Sequence, residues 1–297
     1  MTTPADSWTE AMRAGRFDEA WAMSERDVAL RDPALRDDPS VDYHLRWVWD
    51  GRPFDNRDVL VRCYHGLGDT IQFARYLPAL AERARSVRVE VQPRLLPLLS
   101  QTPGVTFHPF DVANPLPPVE CDIEITELAF ALRLSPLDVP APYLSVAPAA
   151  LPSGTIGLCY SAGGWDKERW VPPALLAPLC EGRRCLSLVA EPAPLPIANP
   201  EGCPFDFAET AALVAGCALV ITVDTMIAHL AGALGRPTWL MLKSDPDWRW
   251  SPHDRRSPWY DSMRLYAQPQ AGDWEHVVDR VARDLARLYP AQAKGSR

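Results

Sequence analysis

Three short stretches concentrate side chains able to do chemistry, and each directly follows an apolar run. The first is His65-Gly66-Leu67-Gly68-Asp69-Thr70, which precedes a helical pattern from Ile71 onward. Glycines permit a tight turn and close approach of a ligand to the backbone, and a helix beginning here offers unpaired N–H groups to an anion. Asp69 at that junction is either an N-cap contributing about 1 kcal/mol to the helix or a general base facing a cleft. The second stretch is Asp224-Thr225-Met226-Ile227-Ala228-His229, after the run 220–223. Its polar trio can cap a helix and fill a core, or hold a phosphate or ribose. The third is the loop from Ser161 to Trp170, after the run 156–160. Its small residues give backbone access, and Lys167 supplies a charge suited to a departing diphosphate, unless the loop is only a charged surface. Further on, Asp247-Trp248-Arg249-Trp250 and Ser257-Pro258-Trp259-Tyr260 cluster aromatics with an arginine. Such groups stack on rings and bond hydroxyls, or they seal the end of a sheet.

The elements that position these loops alternate. The pattern predicts strands over 58–64, 86–92, 105–110 and 121–126, with helices over 69–84 and 94–100. It then restarts with strands over 156–160, 184–190, 218–223 and 238–242 and helices over 172–180, 207–217 and 226–234. Strands alternating with helices make parallel sheets, so the expectation is an α/β chain with two Rossmann-like halves. Ligands of such sheets sit beyond the carboxyl ends of the strands, where the strand order reverses. An amphipathic tail helix over 273–289 closes the pattern. Ahead of it all, Ala11, Ala14, Gly15, Phe17, Ala20, Ala29, Leu30 and Pro33 resemble one tetratricopeptide repeat. A lone repeat leaves a face unburied, so it is expected to pack on the domain behind it or on a protein partner.

Composition narrows the class. At 297 residues, two domains are expected: 46–150 and 151–297, behind a helical segment and linker over 1–45. A net charge of −8 opposes broad contact with nucleic acid. The seven cysteines are odd in number, lie mostly in apolar runs and form no CxxC pair, which points to reduced core thiols in the cytoplasm rather than disulfides or structural zinc. The amino terminus carries no secretory pattern, and the longest apolar run, 211–223, is too short to span a bilayer, so no transmembrane segment is expected.

Residues 65–80, 223–237, 247–250 and 257–260 together resemble the glycosyltransferase domain that follows tetratricopeptide repeats in many bacterial proteins. That domain is similar to family 9 glycosyltransferases, the ADP-heptose:lipopolysaccharide heptosyltransferases. The likeness runs over about 46 to 290 and implies a GT-B fold, with acceptor on the first domain and donor on the second. It further implies inverting, metal-independent transfer from a nucleotide-diphosphate sugar, a co-substrate rather than a cofactor, to a carbohydrate, lipid-linked or protein acceptor. Carried over by position, Asp69 is the general base, and Ser161, Lys167, Asp224, Thr225 and His229 hold the donor. Gly66, Gly68, Gln72, Arg75, Trp248, Arg249 and Trp259 are the expected acceptor or sugar contacts, and no metal site is expected. The rival reading is a non-catalytic protein that keeps the fold and uses its helical repeat to hold a partner.

Overall fold

The computed structural model describes residues 4–290 apart from Trp165, Gly202 and Pro204. Trp165, in the third loop, therefore lies outside the described residues. The chain divides into two compact units, Met1–Pro140 and Ala141–Arg297. Among the described residues, no helix is long and apolar enough to cross a membrane.

The first unit opens with a helical hairpin, α1 (Pro4–Arg13) and α2 (Phe17–Ala29), turning at Gly15 with φ 69°. Ala11 and Ala20 are wholly buried, so the two helices approach closely, and the Trp8 indole donates to the Ser24 hydroxyl at 3.0 Å. The hairpin packs on its own unit. Arg31, just past α2, donates to the Trp49 carbonyl at 2.7 Å and to Glu127 at 2.6 Å, and Arg133 meets Glu25 at 3.2 Å.

Behind the hairpin come β1 (Asp58–Arg62), α3 (Leu67–Phe73), α4 (Leu77–Arg83), β2 (Ser86–Val91), α5 (Leu96–Leu99), β3 (Val105–Pro109), β4 (Cys121–Glu124) and α6 (Leu128–Leu132). The strands form a parallel sheet in the order β3-β2-β1-β4. The second unit contains β5 (Ile156–Cys159), α7 (Ala177–Cys180), β6 (Cys185–Ser187), α8 (Phe207–Gly216), β7 (Leu219–Val223), α9 (Met226–Ala233), β8 (Thr238–Leu242), β9 (Met263–Ala267) and α10 (Trp274–Leu288). Its parallel sheet has the order β6-β5-β7-β8-β9. Every residue of β7 and β8 is buried, as in a sheet covered on both faces.

Several elements differ from expectation. The helix predicted over 69–84 is two helices separated by a 3-10 turn, Ala74–Tyr76. Pro78, the second residue of α4, lacks an N–H and its ring opposes a continuous helix through the preceding turn. Strand β9 and helix α6 were not predicted, and the strand expected over 184–190 is only Cys185–Ser187. Between β3 and β4 the chain crosses without a helix, and residues 110–120 lie as a loop.

That loop is fixed by charge. Arg62 ends β1 with only 2% of its side chain exposed, and donates to Glu90 of β2 at 2.6 Å and to Asp122 of β4 at 2.8 Å. It also donates to the Leu116 carbonyl at 2.9 Å, while Glu90 accepts from the Leu116 N–H at 2.6 Å and Asp122 from the Val119 N–H at 2.9 Å. Removing the guanidinium leaves two buried carboxylates without their counter-charge, which typically costs about 3–5 kcal/mol. Arg62→Met is therefore expected to lose about 3–5 kcal/mol in urea unfolding, and a loss below about 1 kcal/mol would contradict the network's role.

Candidate functional site

In the first unit the strand order reverses between β1 and β4, so the loops after these strands flank one crevice. After β1 the chain reaches Gly66, the N-cap of α3, whose N–H donates to Asp69 Oδ2 at 2.9 Å. Asp69 is thus the third helical residue and closes the cap from inside, rather than being the N-cap itself. Gly66 has φ −67°, so backbone freedom does not explain it. A Cβ there would lie 3.1 Å from Asp69 Oδ2, and the glycine makes room for the carboxylate.

The loop is tied to its neighbours. Gln92, just past β2, donates to the carbonyls of Cys63 at 3.1 Å and His65 at 2.8 Å, and accepts from the Thr70 hydroxyl at 3.0 Å. From the end of β4, Glu124 accepts from the Tyr64 N–H at 3.2 Å and the Thr126 N–H at 2.6 Å. His65 Nδ1 lies 3.0 Å from Glu124 Oε1. Of the residues expected to touch an acceptor, Gly66 and Gly68 lie at this helix start. Gln72 and Arg75 are buried instead, with the Arg75 Nε donating to the Gln72 carbonyl at 3.1 Å.

In the second unit the order reverses between β5 and β7. The loops after β5, β7 and β8 are linked by charge at this edge. Arg169 donates to the Asp224 carbonyl at 2.7 Å, and Lys243, directly after β8, lies 3.0 Å from Asp166 and 3.2 Å from Glu168. Arg169 and Lys243 were missed by sequence reading. Arg169 stands in the loop that was singled out, and Lys243 follows a predicted strand, so position alone would have found both. Lys167, the expected diphosphate contact, lies on the exposed side of the same turn, 5.7 Å from the Trp170 ring centroid. Ser161 is partly buried at the start of that loop.

Thr225 is the N-cap of α9, yet its side chain makes no capping hydrogen bond. The cap reading therefore does not account for its hydroxyl. His229, in the second turn, is buried, with Nδ1 3.1 Å from the Tyr260 hydroxyl and its ring 5.6 Å from that of Trp250. Tyr260 fits because Gly232 leaves space, since a Cβ there would fall 2.5 Å from its ring. Asp247 accepts from the Arg249 N–H at 3.1 Å and its guanidinium at 2.8 Å, and that guanidinium lies 4.1 Å from the Trp248 ring centroid. Trp259 is 2% exposed and packs edge-on against Trp248. The burial of Trp259 accords with the alternative that these aromatics seal the end of a sheet. Trp248 itself is partly exposed.

Asp224 is buried, and that burial together with nearby Asp247 pushes its carboxyl up to about 6, against the Trp250 indole and the charges of Arg249 and Arg169. Asp224 thus binds its proton more tightly folded than unfolded. Its favourable contribution is present at low pH and is lost as pH rises through about 6. Asp224→Asn is expected to be more stable than the parent near pH 8, by at most about 3 kcal/mol, with the gap closing toward pH 4. Urea unfolding at both pH values checks this, and a gap independent of pH would contradict it.

Residues 203–270, from α8 through β9, match the family model described as glycosyltransferase family 9 (heptosyltransferase). Over 93% of its length the chain is 26% identical to Protein FlbA of Caulobacter vibrioides, and it spans about half of that protein (54%). Its fold is similar to the crystal structure of a family 9 glycosyl transferase from Veillonella parvula, with a TM-score of 0.57 and 11% identity, covering 80% of this chain and 98% of that one. It is likewise similar to Escherichia coli ADP-heptose lps heptosyltransferase II, with a TM-score of 0.55 and 16% identity over 78% of this chain and 98% of that one. The chain thus has a GT-B fold like that of these solved structures, and part of its second unit matches the family 9 model.

Proposed function

We propose that the protein is an inverting, metal-independent glycosyltransferase that moves a sugar from a nucleotide-diphosphate sugar to a hydroxyl acceptor. The observation that carries this reading is the set Asp224, Thr225 and His229, with Arg169 beside it, at the strand reversal of a sheet whose sequence matches family 9. The second unit holds the donor. Arg169, Lys167 and the start of α9 offset charge on the diphosphate as it leaves. Ser161 lends backbone access, while His229, locked by Tyr260, and Asp224 shape the nucleoside side. The family description favours ADP-heptose as the first donor to try.

The first unit meets the acceptor, a carbohydrate, lipid-linked or protein hydroxyl, at Gly66, Gly68 and Asp69. Asp69 takes the proton of the attacking hydroxyl and also closes the helix cap. All seven cysteines are buried free thiols, which fits a reducing cytoplasm. The rival, a non-catalytic binding protein, draws on the same bond from Gly66 to Asp69, since a cap needs no turnover.

Calorimetry against ADP-, GDP-, UDP- and dTDP-sugars separates the two readings, because the enzyme is expected to bind at least one and the rival none. Asp69→Asn is expected to lower transfer about 100-fold or more while nucleotide affinity stays unchanged. Full transfer by this variant would remove Asp69 from the role of base. Arg169→Ala is expected to weaken nucleotide binding about 10-fold through loss of a charge-assisted contact.

A further inference from the structure

The strands of the second sheet are parallel, so their amino ends share the edge opposite the loops 161–170 and 224–229. That edge gathers arginines that no role above uses. Arg183 and Arg184 directly precede β6, Arg236 stands just before β8, and Arg264 is the second residue of β9. Arg255 lies alongside β9, its carbonyl accepting from the Leu265 N–H at 3.0 Å, and Arg287 stands in the last turn of α10. The end of α10 reaches the same edge, because Arg183 Nε donates to the Tyr289 carbonyl at 3.1 Å.

Few carboxylates answer these charges. Arg255, Arg264 and Arg287 share Asp284, at 2.8, 3.1 and 3.3 Å. Arg183, Arg184 and Arg236 donate to backbone carbonyls, which hold a guanidinium in place without neutralising it. Glu181 and Asp261 flank them, and Arg256 offsets Asp254. Six arginines against three carboxylates leave this edge basic in a chain whose net charge is −8. Arg255 and Arg287 are 58% and 69% exposed, and Leu288, next to Arg287, is an exposed apolar side chain.

We propose that this edge docks the protein on a membrane surface rich in anionic phospholipid headgroups. The charge is spread along an edge rather than gathered in a pocket, which suits a planar polyanion better than a single phosphate. Leu288 can enter the headgroup boundary while the arginines beside it stay at the phosphates. Nucleic acid fits less well. The rings beneath the arginines, Trp239 and Tyr266, are buried and give a base no face to stack on. Contact at the amino edge leaves the loops 161–170 and 224–229 at the other end of the same strands, so the second crevice stays open on the adsorbed protein. The inference does not depend on the glycosyl-transfer reading.

The test is co-sedimentation of the full chain with vesicles. Binding is expected when phosphatidylglycerol is mixed into phosphatidylcholine, is expected to fall as salt rises, and is expected to vanish with phosphatidylcholine alone. The salt series on the unaltered chain reads the charge without any variant. Arg255→Gln combined with Arg287→Gln is expected to weaken binding about 10- to 30-fold, at about five-fold per arginine, and Leu288→Ser to weaken it as well. Arg16→Gln combined with Arg52→Gln makes the same change in net charge on the first unit and is expected to leave binding unchanged. No binding to anionic vesicles, equal binding to neutral ones, or an equal loss in both double variants overturns the proposal. So does tighter binding to duplex DNA than to anionic vesicles at equal phosphate concentration. Calorimetry with nucleotide sugars reads the transfer assignment separately.

Discussion

All strands run parallel in both sheets, and that polarity is the constraint from which the sites follow. Parallel strands send every following loop to the same edge, and reversal of strand order opens a crevice between two of those loops. In the first unit the crevice lies between the loops after β1 and β4, where Asp69, His65 and Glu124 stand. In the second it lies between those after β5 and β7, where Arg169 binds the Asp224 carbonyl. Two units with different sequences thus place titratable groups at the same topological point. The groups differ: the first holds Asp69, Glu124 and His65, whereas the second holds Arg169 and Lys243 among the carboxylates of Asp166, Glu168 and Asp224.

In the first unit, charge ties down the loop that joins β3 to β4. Residues 110–120 replace a crossover helix, and the buried network of Arg62, Glu90 and Asp122 binds their backbone. The helical hairpin contributes at the same end of the sheet, since Arg31 pairs with Glu127, three residues past Glu124. Burial pushes the Glu127 carboxyl up even though Arg31 pulls it down. The hairpin therefore bears on the turn after β4, which is the turn that follows Glu124.

Much of this was legible in the sequence, for physical reasons. Apolar runs ending in Gly66-x-Gly68-Asp69 and in Asp224-Thr225 mark strand-to-helix junctions, and both are found where expected. Side-chain direction was less legible. Trp259 and Arg75 read as contacts to acceptor or sugar, yet tertiary packing buries both. Arg62 sat in a run read as apolar, and only its partners on β2 and β4 make its burial tolerable. Glu124 was read merely as part of the strand expected over 121–126, because the Tyr64 N–H it accepts from is remote in sequence. Strand β9 was missed because Arg264 and Tyr266 blur its alternation, which Asp284 on α10 sustains by accepting from both at 3.1 and 2.9 Å.

The division of labour between the units, donor on the second and proton chemistry on the first, is the central claim. Amide hydrogen exchange of the full chain, with and without ADP-heptose, tests it most directly. The expected result is slowed exchange at residues 161–170 and 224–229, with residues 65–70 unchanged in the absence of an acceptor. Protection confined to residues 65–70, or none in either unit at saturating nucleotide sugar, would contradict it.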